Sequence, residues 1–135
     1  MFGILLMSHG HMAEGIRDSC TLFFGENLEK VKALCLLEGD SPEAFDDQIR
    51  EAIKELDDGH GVIAFCDLLG GTPFNRCAFS FVNERFQLIA GMNFPMVLEL
   101  LGKRMMTEDI SEIDIDELMN VGRAGIVSAN KLLNL

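Results

Sequence analysis

Short, mostly apolar runs that alternate with segments of helical periodicity constrain this chain more than any other feature. The first run is Phe2-Gly3-Ile4-Leu5-Leu6-Met7, which ends at Ser8-His9-Gly10. The second is Val31 to Leu37, the third is Val62-Ile63-Ala64-Phe65-Cys66, and the fourth is Phe86 to Ala90. Runs without a polar alternation read as strands covered on both faces. Between the first and second lies a segment, Met12 to Phe24, with Ile16, Cys20 and Phe23/Phe24 on one helical face. Between the second and third, Ser41-Pro42 opens a helix whose Phe45, Ile49, Ile53 and Leu56 share a face. After the third, Thr72-Pro73 opens a helix, with Thr72 expected as its N-cap and Phe74, Cys77, Ala78 and Phe81 as its apolar face.

Further helices are expected from Asn93 to Lys103 and from Asp116 to Gly122. The acidic stretch Glu108 to Asp116 reads as surface, and Gly125 to Ser128 as a last short strand. Strands alternating with helices predict an α/β fold with a central, mostly parallel four-stranded sheet and helices on both faces. With 135 residues and no linker or repeat, residues 1–135 are expected to form a single domain.

Charge and cysteine usage narrow the function classes. The formal net charge is −11 and no basic run occurs, which argues against a nucleic-acid partner. An acidic surface suits a basic protein partner, and it also serves solubility. Cys20, Cys35, Cys66 and Cys77 form no C-x-x-C pair, so zinc or disulfide use is not expected, and a reducing cytoplasmic location is. The N-terminus lacks a signal-peptide pattern, and the stretch Phe86 to Leu101 is too interrupted to span a membrane.

In a parallel sheet, ligands bind beyond the carboxyl ends of the strands, where the strand order reverses. His9 ends the first strand and Asp67 the third. Neutral imidazole is a good nucleophile near neutral pH. A carboxylate on Nδ1 would fix the tautomer and leave Nε2 free to attack. Gly70-Gly71-Thr72-Pro73-Phe74-Asn75 adds free backbone amides, a hydroxyl and a helix N-terminus, which together make an anion site.

The bland readings are a turn histidine, a capping aspartate and a Thr72 that only caps its helix. A Ser8-His9-Asp67 hydrolase triad is not expected, because successive residues of a strand point to opposite faces. No P-loop or dinucleotide fingerprint occurs. A metal on His9-x-His11 lacks further ligands, and no metal or cofactor is expected. His11 and His60 read as polar surface residues.

Three segments carry a family resemblance: Met7-Ser8-His9-Gly10-x-Met12-Ala13-Glu14-Gly15, Asp67-x-x-Gly70-Gly71-Thr72-Pro73-Phe74-Asn75, and Ile89-Ala90-Gly91-Met92-Asn93-Phe94-Pro95-Met96. Along its whole length the chain resembles the mannose-type enzyme IIA domain of bacterial sugar phosphotransferase systems. The G-G-[ST]-P-F-N segment favours the sugar-transport branch over the branch that serves dihydroxyacetone kinases.

The resemblance implies a four-stranded parallel sheet and a homodimer that exchanges a C-terminal strand, here around Gly125 to Ser128. It implies that the phosphocarrier HPr phosphorylates His9 and that Asp67 orients it; the anion site read from the residues then leaves Gly70, Gly71 and Thr72 to hold the phosphoryl oxygens. The phosphoryl group would then pass to a IIB subunit, expected here as a separate polypeptide, and only indirectly involve the membrane IIC and IID components. Phe23, Phe24 and Leu69 are candidates for an apolar docking patch, although core packing explains them equally well. Mannose, fructose, sorbose and amino-sugar systems share these motifs, so the sugar stays open. Two other readings also stay open: a regulatory module whose phosphorylation state selects its partner, and a flavodoxin-like ligand domain without phosphoryl chemistry.

Overall fold

A computed structural model describes all residues, 1–135. The chain runs β1 (Gly3–His9), α1 (Met12–Phe24), β2 (Val31–Leu36), α2 (Pro42–Leu56), β3 (Val62–Cys66), α3 (Thr72–Ser80), β4 (Phe86–Ala90) and α4 (Phe94–Arg104). A single 3-10 turn (Ile110–Glu112), α5 (Ile115–Ala124) and α6 (Ala129–Leu132) follow. The sheet order is β2-β1-β3-β4, and every pair is parallel.

The strands lack polar alternation because each face meets its own core. Ile4 and Leu6 of β1, with Ile63 and Phe65 of β3, pack on one side with residues of α1, α4 and α5. Leu5 and Met7, with Val62, Ala64 and Cys66, pack on the other with α2 and α3. Gly3 is required where α2 ends against β1: a Cβ there would lie 2.6 Å from Leu56 Cβ.

Ser41 accepts from the Ala44 amide at the start of α2, and Asn93 accepts from Met96 at the start of α4. The start of α1 is different. His11 caps it without a side-chain hydrogen bond, and the buried Ser8 hydroxyl accepts from the Ala13 amide at 2.7 Å. At the other end of the sheet, the buried Arg104 guanidinium donates to the carbonyl oxygens of Phe2, Lys30 and Glu29. Burial pulls its pKa down, and Glu29 partly offsets that.

One sequence expectation fails and another gains detail. Residues Gly125 to Ser128 form no strand within the chain: Gly125 caps α5, and Ile126 and Val127 stand exposed. A strand is stable only when another strand pairs its backbone, and the segment has no such partner inside one chain. The Glu108 to Asp116 stretch lies at the surface as expected, and it is tied down there. Asp109 binds Arg85 through both carboxylate oxygens, Glu108 pairs with the N-terminal ammonium, and Ile110 is buried. No helix is long and apolar enough to cross a membrane.

Candidate functional site

The strand order reverses between β1 and β3, so the crevice beyond their carboxyl ends is the switch point of this sheet. Met7 lies in register with Cys66, which brings the next residues, Ser8-His9 and Asp67, to the same edge. There the Asp67 Oδ2 atom accepts two hydrogen bonds from His9, one from its backbone amide and one from ring Nδ1, each at 2.9 Å. Oδ1 accepts from the Leu68 amide at 2.9 Å. Burial pushes the Asp67 carboxyl up, but the hydrogen bonds and charge of His9 and the Leu68 amide outweigh it and hold the group below its ordinary value. An ionised carboxylate only accepts, so Nδ1 carries the proton and Nε2 presents its lone pair. The His9 side chain is 42% exposed and that of Asp67 only 9%, so the imidazole reaches solvent while the carboxylate that holds it does not.

The loop after β3 closes over the ring. Gly70 has φ +79°, in the left-handed region that favours glycine. Gly71 has φ −74° and ψ 172°, which any residue adopts. Its reason to be glycine is different: a Cβ would lie 2.6 Å from Cε1 and 3.2 Å from Nε2 of His9. The amides of Leu69, Gly70 and Thr72 donate to no group of the protein, and they lie just before and at the first residue of α3, whose positive dipole end faces the loop. Asn75 steadies this loop by donating to the Gly70 carbonyl at 2.9 Å. The structure therefore brings His9, Asp67, Gly70, Gly71 and Thr72 to one edge of the sheet.

Two sequence expectations need amendment here. Gly71, not Thr72, is the N-cap of α3, and Thr72 is its first helical residue, so its hydroxyl is not spent on capping. The expected apolar patch divides. Leu69 is exposed beside the site, together with Leu68. Phe23 and Phe24 sit at the far end of α1, about 17 Å along the helix from its first turn. Phe23 is exposed but lies edge-on to Phe94, with ring centroids 5.8 Å apart, and Phe24 packs on the core. His11, read from the sequence as a polar surface residue, is exposed and pairs within its own helix start. The ring of His11 meets Glu14, with Nδ1 3.3 Å from the carboxylate.

Ser8 plays no part in a triad; its hydroxyl is buried and donates to the Gly10 carbonyl at 3.1 Å. Sequence reasoning missed two supports of the site. One is Ser8, which sets the start of α1. The other is the packing role of Gly71, for which the paired glycines were the available signal.

The chain is thus a parallel α/β domain that presents a carboxylate-oriented, partly exposed histidine beneath a glycine loop at the switch point of its sheet. The family described as "PTS system fructose IIA component" matches residues 3–117. The chain belongs to this family of mannose-type enzyme IIA components of the sugar phosphotransferase system. It is 30% identical over 106 residues to the fructose-specific EIIA component of Bacillus subtilis, covering 77% of this chain and 71% of that protein. It is 29% identical over 124 residues to the mannose-specific EIIAB component of Escherichia coli K12, covering 91% of this chain but only 38% of that longer protein. Among solved structures, the PTS IIA protein associated with the fucose utilization operon of Streptococcus pneumoniae superposes with a TM-score of 0.85 at 28% identity. That superposition covers 97% of this chain and 95% of the other.

Proposed function

We propose that residues 1–135 act as one phosphocarrier domain that accepts a phosphoryl group on His9 Nε2 from phospho-HPr and delivers it to a IIB subunit. The observation that carries this reading is the double hydrogen bond from His9 to Asp67 Oδ2, which holds Nδ1 as the donor and leaves Nε2 as the nucleophile. The Nε2 lone pair forms the new N–P bond in line. The N–P bond to the donor's histidine breaks, and its electron pair stays on the donor imidazole. Asp67 balances the positive charge that develops on the His9 ring. The unpaired amides of Leu69, Gly70 and Thr72, with the Thr72 hydroxyl, receive the phosphoryl oxygens. Catalysis of this kind is positioning and charge stabilisation. Transfer to IIB runs the same steps in reverse, and membrane components take part only downstream.

Exposed Leu68 and Leu69 offer partners an apolar contact beside His9, and the acidic surface favours encounter with a basic partner. Homodimerisation through the 125–128 segment fits its exposed Ile126 and Val127 and the open edges of β2 and β4.

Incubation with enzyme I, HPr and phosphoenolpyruvate tests the central step. Intact mass should show one added phosphoryl group, acid-labile and base-stable, and absent from His9→Ala. Normal phosphorylation of His9→Ala would overturn the reading. Passage of the label to a IIB subunit separates a transport carrier from a regulatory module.

A further inference from the structure

We propose that His11, Glu14 and Cys35 form a binding site for a divalent transition metal, suited to zinc, that is separate from the phosphoryl site. Their ligand atoms (imidazole nitrogen, carboxylate oxygen and thiol sulfur) all lie within 4.8 Å of one another. His11 Nδ1 and Glu14 Oε2 are 3.3 Å apart. Two ligands bound at roughly 2.0 Å in a tetrahedral shell sit about 3.3 Å from each other, so this pair is already at coordination spacing.

The three groups come from two elements that the fold fixes. His11 and Glu14 occupy the first turn of α1, one helical turn apart on one face. The Ser8–Ala13 hydrogen bond anchors that turn. Cys35 comes from the edge strand β2, in register with Ser8, and so lies on the face of the sheet that α1 covers. His9 is paired with Leu36 and falls on the opposite face of the same strand end. No third ligand for His11 is visible nearby in the sequence, because strand pairing brings in Cys35 from 24 positions away.

The donor set selects the metal. A thiolate, an imidazole and a carboxylate suit zinc or cobalt(II) and not magnesium or calcium, which prefer all-oxygen shells. Three protein ligands leave a fourth position for water or for a group from a partner. His11 and Glu14 are exposed, so that position opens to solvent. The positive dipole end of α1 weakly opposes a cation here, whereas the net charge of −11 attracts one. On binding, the Cys35 thiol loses its proton to solvent as the sulfur–metal bond forms, so one proton leaves per metal bound. The bound ion would fasten the first turn of α1 to edge strand β2, two residues from His9. The site does not depend on His9 carrying a phosphoryl group.

The test is titration of the whole protein, kept reduced, with cobalt(II) chloride and then zinc chloride. One equivalent of cobalt should produce a near-ultraviolet thiolate-to-cobalt charge-transfer band, and zinc should displace it. Cys35→Ser should abolish the band. His11→Ala and Glu14→Gln should each weaken zinc binding by about tenfold or more. Zinc should also protect Cys35 from iodoacetamide, read by mass; the other three cysteines are buried. A missing charge-transfer band, or cobalt binding unchanged in Cys35→Ser, would overturn the proposal and assign any bound metal to surface carboxylates.

Discussion

The His9 ring is held from two sides, and each side makes its own prediction. Asp67 fixes the tautomer through Nδ1, so Asp67→Ala should slow phosphoryl acceptance by about a hundredfold or more while leaving the fold intact, measured by rapid-quench transfer from phospho-HPr. An unchanged rate would remove Asp67 from the mechanism. Gly71 holds the other side by having no side chain. Gly71→Ala places a methyl group 2.6 Å from Cε1, so the ring must rotate and the bond to Asp67 must lengthen. The expected result is a transfer rate at least about tenfold lower with thermal stability nearly unchanged, because φ −74° suits alanine. The pairing of His9 with Asp67 was legible in the sequence because both end strands. The steric role of Gly71 was not, because only the folded loop lays it on the imidazole.

Among the elements, the start of α1 and the end of α4 carry the least obvious supports. Ser8→Ala leaves the Ala13 amide buried without its acceptor and should cost roughly 1–3 kcal/mol in urea unfolding. Arg104→Met leaves the carbonyls of Phe2, Lys30 and Glu29 without their shared donor. It should cost about 2–4 kcal/mol, with phosphoryl acceptance by the folded protein unaffected. Neither role could be read from the chain. Ser8 reaches five residues forward, past the residues where a cap is usually sought, and Arg104 binds carbonyls contributed by segments 74 to 102 residues away. The helices and four strands were legible because their periodicities are strong and their stop signals sharp. The segment 125–128 was misread because its apolar residues look the same whether or not a strand exists to pair with them.

For the molecule as a whole, acid is the sensitive direction. The hydrogen bond from Lys30 lowers the pKa of Asp58, Arg85 lowers that of Asp109, the N-terminal ammonium lowers that of Glu108, and His9 and Leu68 hold Asp67 low against its burial. A carboxyl whose pKa is lower in the folded state takes up protons first in the unfolded chain, so its stabilisation is present above about pH 4 and disappears as pH falls through the folded value. Urea midpoints should be nearly flat from about pH 7 to 5 and fall below about pH 4. A rise there instead would mean that relief of the self-repulsion from the net charge of −11 outweighs these pairs.

The active edge also has a temporal consequence. His9 and Asp67 are 58 residues apart and meet only through the pairing of β1 with β3. On the proposed phosphocarrier reading, a chain still emerging from the ribosome therefore lacks its Asp67-oriented imidazole until the third strand and the glycine loop have been made and have docked. Appearance of the acid-labile phosphoryl group during synthesis would thus time the closure of this sheet, and truncated or misfolded copies would draw no phosphoryl groups away from the finished protein.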